Sequence, residues 1–356
     1  MLKFIHCADI HLGSKMEAKL PRDKVEQRRA ELRATFSRMV EYARANGVRA
    51  IILSGDVFDS DRPLVRDKRF FYTLIKENAD IDFLYLRGNH DNKESYVEDE
   101  LSNLRTFRSE WTSYSYDGVD IWGIEMEGSN ALSLYSTLRP DPSRVNIVML
   151  HGGIADSAGL DLVDIKSLRG RGIDYLALGH YHSFSEGAID ERGSYAYSGC
   201  LEGRGFDETG EKGFVLLELD GAKIRKTFVS FAQRVIHRIT VDISECEELY
   251  DVHAVLKRSG VWDEKDILRI ELVGEIFFDG EGLSELCEEY LMPTCYFVSV
   301  KDRTVVGIDA SEYDADISIR GEFVRTVMSA EGYTDEQKRS IVNYGLRALA
   351  GREVEI

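Results

Sequence analysis

The stretch Phe83-Leu84-Tyr85-Leu86-Arg87-Gly88-Asn89-His90-Asp91 decides how this 356-residue chain is read. Its first four residues form an uninterrupted apolar run, which predicts a buried strand. Gly88 then frees the backbone to turn, and an Asn, a His and an Asp are presented in a row at the strand's end. Asn is a neutral oxygen donor for a metal, His binds a metal or carries a proton, and Asp can hold a neighbouring imidazole in one orientation. Taken alone, the tetrapeptide is an ordinary polar turn. Its meaning changes because four other strand ends carry a similar set.

Leu2 to Ala8 reads as a strand running into Asp9-Ile10-His11-Leu12-Gly13, and Ala50-Ile51-Ile52-Leu53 as one running into Gly55-Asp56-Val57-Phe58-Asp59. Val145 to Leu150 ends in His151-Gly152-Gly153, and Gly172 to Leu178 in Gly179-His180-Tyr181-His182. Between them, Leu32, Phe36, Met39, Val40 and Ala43, then Phe70, Phe71, Leu74 and Ile75, recur at helical spacing. A hairpin from Phe214 to Phe231 turns at Asp220-Gly221. Strand–turn–helix units early and hairpins late predict a layered α/β domain with mixed sheets. In open α/β sheets, sites assemble outside the carboxyl ends of strands, where all five motifs lie.

Residues two apart in a strand share a face, so Asp9 with His11, and His180 with His182, can each aim two donors at one point if the strand continues. With Asp56, Asn89 and His151 they make seven oxygen and nitrogen donors. One tetrahedral ion takes four, so seven suit two ions that share a bridging carboxylate. A two-metal site clamps a phosphoryl oxygen and activates a water for in-line attack, which predicts phosphoester hydrolysis. The donors lack thiolates, which points to manganese, iron or zinc without choosing among them. His6 faces the other way along its strand and reads as a core or interface histidine; His237 and His253, in the second domain, read as structural. Asp59 reads as a turn residue, with a place behind a metal ligand as the alternative, and Tyr181 and Phe184 as packing residues with a capacity to stack on a base.

Composition sets the bounds. No stretch approaches the roughly 20 consecutive apolar residues of a membrane helix, and Met1-Leu2-Lys3-Phe4-Ile5-His6 turns polar too soon for a secretory signal. A cytoplasmic protein with no membrane association is expected. Cys7, Cys200, Cys246, Cys287 and Cys295 are odd in number and lack CxxC spacing, so neither a disulfide framework nor a zinc ribbon is suggested. The net charge of −18 argues against a nucleic-acid partner. From Gln233 onward, however, 14 basic residues face 26 acidic ones, a balance of −12 that leaves −6 for the first two-thirds. Arg28, Arg29 and Arg33, on a basic helix between Arg22 and Arg49, are candidate DNA contacts.

Near Gln233 the pattern restarts as a β-α-β-α-β unit, and from Ile319 two amphipathic helices flank Gly332. The expected division is therefore 1–232 for the catalytic domain, 233–312 for an α/β capping domain and 313–356 for a C-terminal helical segment.

The order D-x-H, G-D-x-x-D, G-N-H-D, H-G, G-H-x-H resembles the calcineurin-like metallophosphoesterases. Phe4 to Gly13, Gly55 to Asp59, Tyr197-Ser198-Gly199 and Lys212-Gly213-Phe214 resemble, more closely, the SbcD-type DNA double-strand-break repair nucleases and their uncharacterised bacterial relatives. The resemblance covers residues 1 to about 231 well; beyond that it extends only to layout. It implies a fold of class α/β (α+β layered): a four-layer metallophosphoesterase β-sandwich flanked by helices, with a smaller α/β cap and C-terminal helices that bind an ATPase. It implies that Asp9, His11 and His182 hold one ion, that Asn89, His151 and His180 hold the other, and that Asp56 bridges them. His90 is implied to act on the scissile phosphate, with Asp91 orienting it. The activity implied is that of a dinuclear phosphodiesterase, with Mn2+ the expected metal and Fe2+ or Zn2+ the other candidates. It would be the DNA exonuclease and endonuclease subunit of an SbcCD-like repair complex, partnered by DNA and an SbcC-like ATPase. Separately, an apolar patch on the cap or the early helices could support a homodimer. The alternative is a small-molecule phosphoesterase of the same superfamily, acting on a cyclic nucleotide or a phosphoprotein. A scaffold without catalysis is disfavoured because all seven donors and His90 are in place.

Overall fold

The computed structural model describes residues 1–16, 20–91, 101–278, 280–307, 313 and 315–349. The chain divides into two compact units, Met1–Ile236 and His237–Ile356. The expected boundary at 312/313 falls beside residues 308–312 and 314, which lie outside the described residues.

The first unit runs, in chain order, through β1 (Leu2–Cys7), α1 (Arg22–Ala45), β2 (Ala50–Ser54), α2 (Val65–Glu77), β3 (Asp82–Leu86), β4 (Leu104–Thr106), β5 (Thr112–Tyr116) and β6 (Val119–Gly123). It continues through α3 (Leu134–Thr137), β7 (Val145–His151), β8 (Gly153–Ala155), β9 (Leu162–Asp164), α4 (Ile165–Leu168), β10 (Tyr175–Gly179), β11 (Ser185–Ala188), β12 (Ser194–Tyr197), β13 (Gly213–Asp220) and β14 (Lys223–Ser230). Two six-stranded sheets result, ordered β14-β13-β1-β2-β3-β4 and β11-β12-β10-β7-β6-β5. The central strands β1, β2 and β3 are parallel, as are β6, β7, β10 and β12, while the hairpin β13–β14 pairs antiparallel with β1.

Alternation along the strands assigns each side chain to a layer. Ile5, Cys7, Ile51, Leu53, Phe83 and Tyr85 face outward from the first sheet onto Leu32, Phe36, Met39 and Val40 of α1 and Phe71 and Ile75 of α2. Phe4, Ile52, Leu84 and Leu86 face inward against Ile121, Ile147, Met149, Tyr175 and Ala177 of the second sheet. On that sheet's far side, Val148, Leu150, Leu176 and Leu178 are covered by Leu134 and Tyr135 of α3 and Ile165 and Leu168 of α4. The order is helix, sheet, sheet, helix: the four-layer arrangement expected. Because β1, β2 and β3 run the same way, their carboxyl ends share one edge. The ends of β7 and β10 meet it there: the His151 Nδ1–H donates to the Ser54 carbonyl at 2.9 Å across the two sheets.

In the second unit β15 (Ile236–Asp242), β16 (Ile267–Val273) and β18 (Phe297–Asp302) form a three-stranded sheet. Helices α5 (Leu249–Leu256) and α6 (Leu283–Leu291) cover it through Val252, Leu256, Leu283, Cys287 and Leu291. Two short strands, β17 (Glu275–Ile276) and β19 (Val305–Val306), pair in parallel. Helix α7 (Ile319–Ser329) is capped by the Ser318 hydroxyl, which accepts from the Gly321 N–H, and it packs on α8 (Asp335–Leu349). His237 pairs with Asp266 at 3.0 Å and His253 stacks on Tyr290. All five cysteines are buried and free. Among the described residues no helix is long and apolar enough to cross a membrane.

Candidate metal centre

The seven donors reach one place, but through turns and not through continued strands. β1 ends at Cys7, and Asp9 and His11 both have positive φ, 51° and 50°. Asp56 (φ 53°) and His180 (φ 108°) share this left-handed backbone, which residues with a Cβ adopt at a cost and which gathers at functional sites. The strain is sustained by cross-links between loops: Asp9 N–H donates to Gly55 O at 3.0 Å, His11 N–H to Asp56 O at 3.0 Å and Leu12 N–H to Val57 O at 2.8 Å. Gly88 is required for a different reason. A Cβ there would lie 2.2 Å from Asp56 Oδ1 and 2.6 Å from Asp56 N, so only glycine lets the β3 end approach the β2 end.

Asp9, His11 and His182 can converge on one ion, and Asp9, Asp56 and His151 on a second. Asp56 Oδ2 lies 3.9 Å from His11 Nε2 and 3.3 Å from His151 Nε2, between the two groups. Asn89 Oδ1 is 2.9 Å from His151 Nε2 and 3.3 Å from His180 Nδ1. Asp9 accepts the His180 N–H at 3.0 Å on each oxygen. Two observations test whether this set fits metal ions. His11 is 1 % exposed, yet its inner Nε2 has no hydrogen-bond partner. Asp9 and Asp56 are two carboxylates buried side by side, an arrangement that needs a compensating cation. Both observations fit.

Without a metal, the charge is balanced by a proton. Burial alone would depress the His151 imidazole, but the carboxylates of Asp56 and Asp9 overcome it and raise its pKa to about 9. Burial works against ionisation of Asp56 too, and His151 and His11 nonetheless hold it well below the usual carboxylate range. Burial pushes Asp9 up, against the attraction of His151.

A histidine that is to ligate a metal needs its other nitrogen held. Ser54 O does this for His151. For His182 it is Glu208, whose Oε1 lies 2.7 Å from Nδ1. Asp59 Oδ1 stands 3.2 Å from His11 Nδ1, so Asp59 is more than the turn residue it reads as in sequence. Arg204 joins the two carboxylates, donating from Nη1 to Asp59 at 2.9 Å and from Nε to Glu208 at 3.1 Å. Glu208 and Arg204 have no motif of their own; their one sequence signal is an Arg and a Glu four apart in the loop after Tyr197-Ser198-Gly199.

His90 is exposed at the rim, its ring 5.0 Å from that of His11 and its Nδ1 3.2 Å from the Asp59 carbonyl. Asp91 does not orient it. The Asp91 carboxylate is buried and accepts three backbone N–H groups, from Val57 at 3.2 Å, Phe58 at 3.0 Å and Gly88 at 3.2 Å, so it fastens the β2 loop to the β3 loop. Burial and the neighbouring Asp56 raise its pKa to about 6. The Arg28 expectation is also corrected. That residue is 1 % exposed, and its guanidinium is spent on Glu31, Glu202 and the Gly203 carbonyl, leaving no surface for DNA. Arg29 and Arg33 are partly exposed and paired with Glu26 and Asp67. His6 is fully buried between Tyr175 OH and Leu178 O, as its strand position predicts. Phe184 stacks on Phe228, and Tyr181 lies against Tyr197. Beside Asn89 opens a cleft of about 350 Å³, walled by Arg87, Glu125, Glu127, His151 and Asp161.

A helix–sheet–sheet–helix unit that gathers buried carboxylates, imidazoles and an amide at its strand ends is a metal-dependent phosphoesterase. The chain belongs to the calcineurin-like phosphoesterase family, whose sequence pattern matches residues 2–184. It is similar to the DNA double-strand break repair protein Mre11 of Sulfolobus acidocaldarius, at 24% identity over 96% of this chain and 94% of that protein. The Mre11 protein of Saccharolobus solfataricus is 29% identical over 51% of this chain and 50% of its own length. An uncharacterised metallophosphoesterase, YhaO of Bacillus subtilis, is 28% identical over 70% of this chain and 65% of its own length.

Proposed function

We propose that the chain is a dinuclear phosphodiesterase that cleaves DNA and works with an SbcC-like ATPase of the Mre11–SbcD kind. The observation that carries this reading is the convergence of seven oxygen and nitrogen donors from five strand ends, with Asp56 between the two groups. Asp9, His11 and His182 would hold one ion, Asn89, His151 and His180 the other, and Asp56 both. Mn2+ suits this thiolate-free set. Two such ions, when bound, lower the pKa of a water and polarise the phosphoryl oxygens.

The chain's own residues prepare that chemistry. Ser54 O and Glu208 fix the tautomers that leave the inner nitrogens of His151 and His182 free to donate a lone pair, and Asp59 Oδ1 stands 3.2 Å from the outer nitrogen of His11. His90 donates from Nδ1 to the Asp59 carbonyl and turns Nε2 to the substrate; in its imidazolium form the Nε2–H would bind a phosphoryl oxygen or pass its proton to the leaving one, which returns the ring to neutral. The His90 backbone N–H also donates to Asp56 Oδ1 at 2.9 Å, which ties the loop carrying the acid–base group to the bridging carboxylate. Similarity to an Mre11 protein over 96% of the chain supports DNA as substrate and an ATPase as partner. The second unit would act as a cap on duplex access, with α7 and α8 as the partner-docking segment.

The competing reading, a small-molecule phosphoesterase, is favoured by the charge of −18 and by Glu125, Glu127 and Asp161 at the cleft. Metal-dependent digestion of linear duplex and single-stranded DNA, run beside bis-p-nitrophenyl phosphate, separates the two. The nuclease reading expects both substrates to be cut and His90→Ala to lose at least about 10²-fold on each. Turnover of the ester with no cleavage of DNA, with or without the ATPase, would sink it. Deleting residues 319–356 should abolish capture of the ATPase and spare ester turnover; loss of both would make the helices part of the core.

A further inference from the structure

The donors divide into two sets whose outer contacts are unlike. His11 and His182 each have a carboxylate at the nitrogen facing away from the site, Asp59 at 3.2 Å and Glu208 at 2.7 Å. On the other side, the outer nitrogen of His151 meets a neutral carbonyl, Ser54 O, and the companion donor Asn89 is itself neutral. Asp161 contributes only a coulombic influence on His180. An imidazole whose N–H rests on a carboxylate is a stronger donor than one resting on a carbonyl, because the anion stabilises the positive charge that the ring acquires on binding a cation.

We propose that the two metal positions are held unequally, and that Glu208, together with Asp59, is the positioning residue that makes the Asp9–His11–His182 position the tighter one. The inference rests on the dinuclear reading above and adds an order of filling to it. Glu208 is suited to that role, being 4 % exposed and gripped by Arg204 and by the Arg204 backbone N–H at 2.7 Å. Arg204 Nη2 also stands 3.1 Å from His182 Nδ1. A guanidinium only donates, so that contact calls for a lone pair on Nδ1, whereas Glu208 calls for a proton there. The carboxylate is the nearer, and with the proton on Nδ1 the ring presents its Nε2 lone pair toward Asp9, 3.8 Å away. Arg204 and the buried Lys212 ammonium together balance the charge of the two outer carboxylates, so their effect acts through their contacts at the ring nitrogens. The Lys212 ammonium fixes the main chain of the same histidine, its Nζ donating to the His182 carbonyl at 2.8 Å.

The test is equilibrium dialysis of the full-length, chelator-stripped protein against graded Mn2+, with bound metal counted per chain and the melting temperature recorded in parallel. Wild type is expected to bind two ions in two steps at least about tenfold apart. Glu208→Gln keeps the shape but removes the charge, and should weaken the tighter step roughly 10- to 100-fold while leaving the weaker within about threefold. Asp59→Asn should act on the same step, and Asn89→Ala on the weaker step alone. A purely structural role for Glu208 would lower the melting temperature and leave the ratio of the two affinities unchanged. Equal steps in wild type, equal weakening of both in Glu208→Gln, or loss of the tighter step in Asn89→Ala each overturn the assignment. Wild type that binds no Mn2+ overturns the dinuclear reading along with it, whereas two unequal ions without DNA cleavage leave the inference standing and remove only the nuclease reading.

Discussion

Replacing Asp91 distinguishes a residue that fastens two loops from one that orients a catalytic histidine. Its carboxylate accepts three buried backbone N–H groups, and hydrogen bonds to a charged acceptor each contribute about 1.5–3 kcal/mol. Against this stands the cost of ionisation: a pKa raised to about 6 against an unfolded value near 3.8 corresponds to roughly 3 kcal/mol lost by pH 7. Asp91→Ala orphans all three donors and should destabilise the chelated protein by at least about 3 kcal/mol. Asp91→Asn turns its amide nitrogen toward the Phe58 N–H, loses one bond and also sheds the ionisation penalty, so its net change should stay within about 1.5 kcal/mol. The pH dependence carries the same signature. Because the folded pKa is the higher one, this group's contribution is greatest below about pH 4 and declines as pH rises to about 6; that decline is missing from Asp91→Asn. Urea denaturation between pH 4 and 8 measures all three quantities. The reasoning is refuted if Asp91→Ala costs under about 1 kcal/mol, or if Asn is as damaging as Ala.

Three further outcomes follow from the same geometry. Gly88→Ala drives a Cβ to 2.2 Å from Asp56 Oδ1, so it should cost about 1–3 kcal/mol and weaken Mn2+ binding; unchanged melting and unchanged metal content would contradict it. His151, with a pKa of about 9, carries a proton at pH 7.5 that a cation must displace, so Mn2+ binding should release about one proton there and less above pH 9. Calorimetry in buffers of different ionisation enthalpy reads this, and a buffer-independent heat would rule it out. Arg28→Ala leaves the fully buried Glu202 without its cation, while Glu31 keeps Arg234, and should destabilise by about 3–5 kcal/mol with no change in the salt dependence of DNA binding.

Much of the site is legible in sequence because its donors come in short blocks at the ends of apolar runs. Leu2 to Ala8, Ala50 to Leu53, Phe83 to Leu86 and Val145 to Leu150 are hydrophobic enough to be strands buried on both faces, and a parallel arrangement brings their ends together. The period-two argument for Asp9 with His11 reaches the right pair by the wrong geometry. Both residues are in left-handed turns, a conformation that side-chain chemistry does not announce. Contacts made between distant loops are invisible for the same reason. Nothing local to Asp91 says that its oxygens turn back to Val57 and Phe58, and nothing local to Glu208 says that it lies behind His182, 26 positions earlier in the chain. Arg28 is misleading because a charged residue in a basic helix is ordinarily solvated; Glu202 and the Gly203 carbonyl, arriving from the loop after β12, join Glu31 in making its burial stable.

The central claim is that Asp56 lies between two metal ions. Crystals of the full chain soaked in Mn2+, with data collected at the manganese absorption edge, test it directly. Two anomalous peaks roughly 3.5–4 Å apart, one beside Asp9, His11 and His182, the other beside Asn89, His151 and His180, and both on Asp56, are the predicted result. A single peak at saturating Mn2+, or two that do not share Asp56, would contradict it.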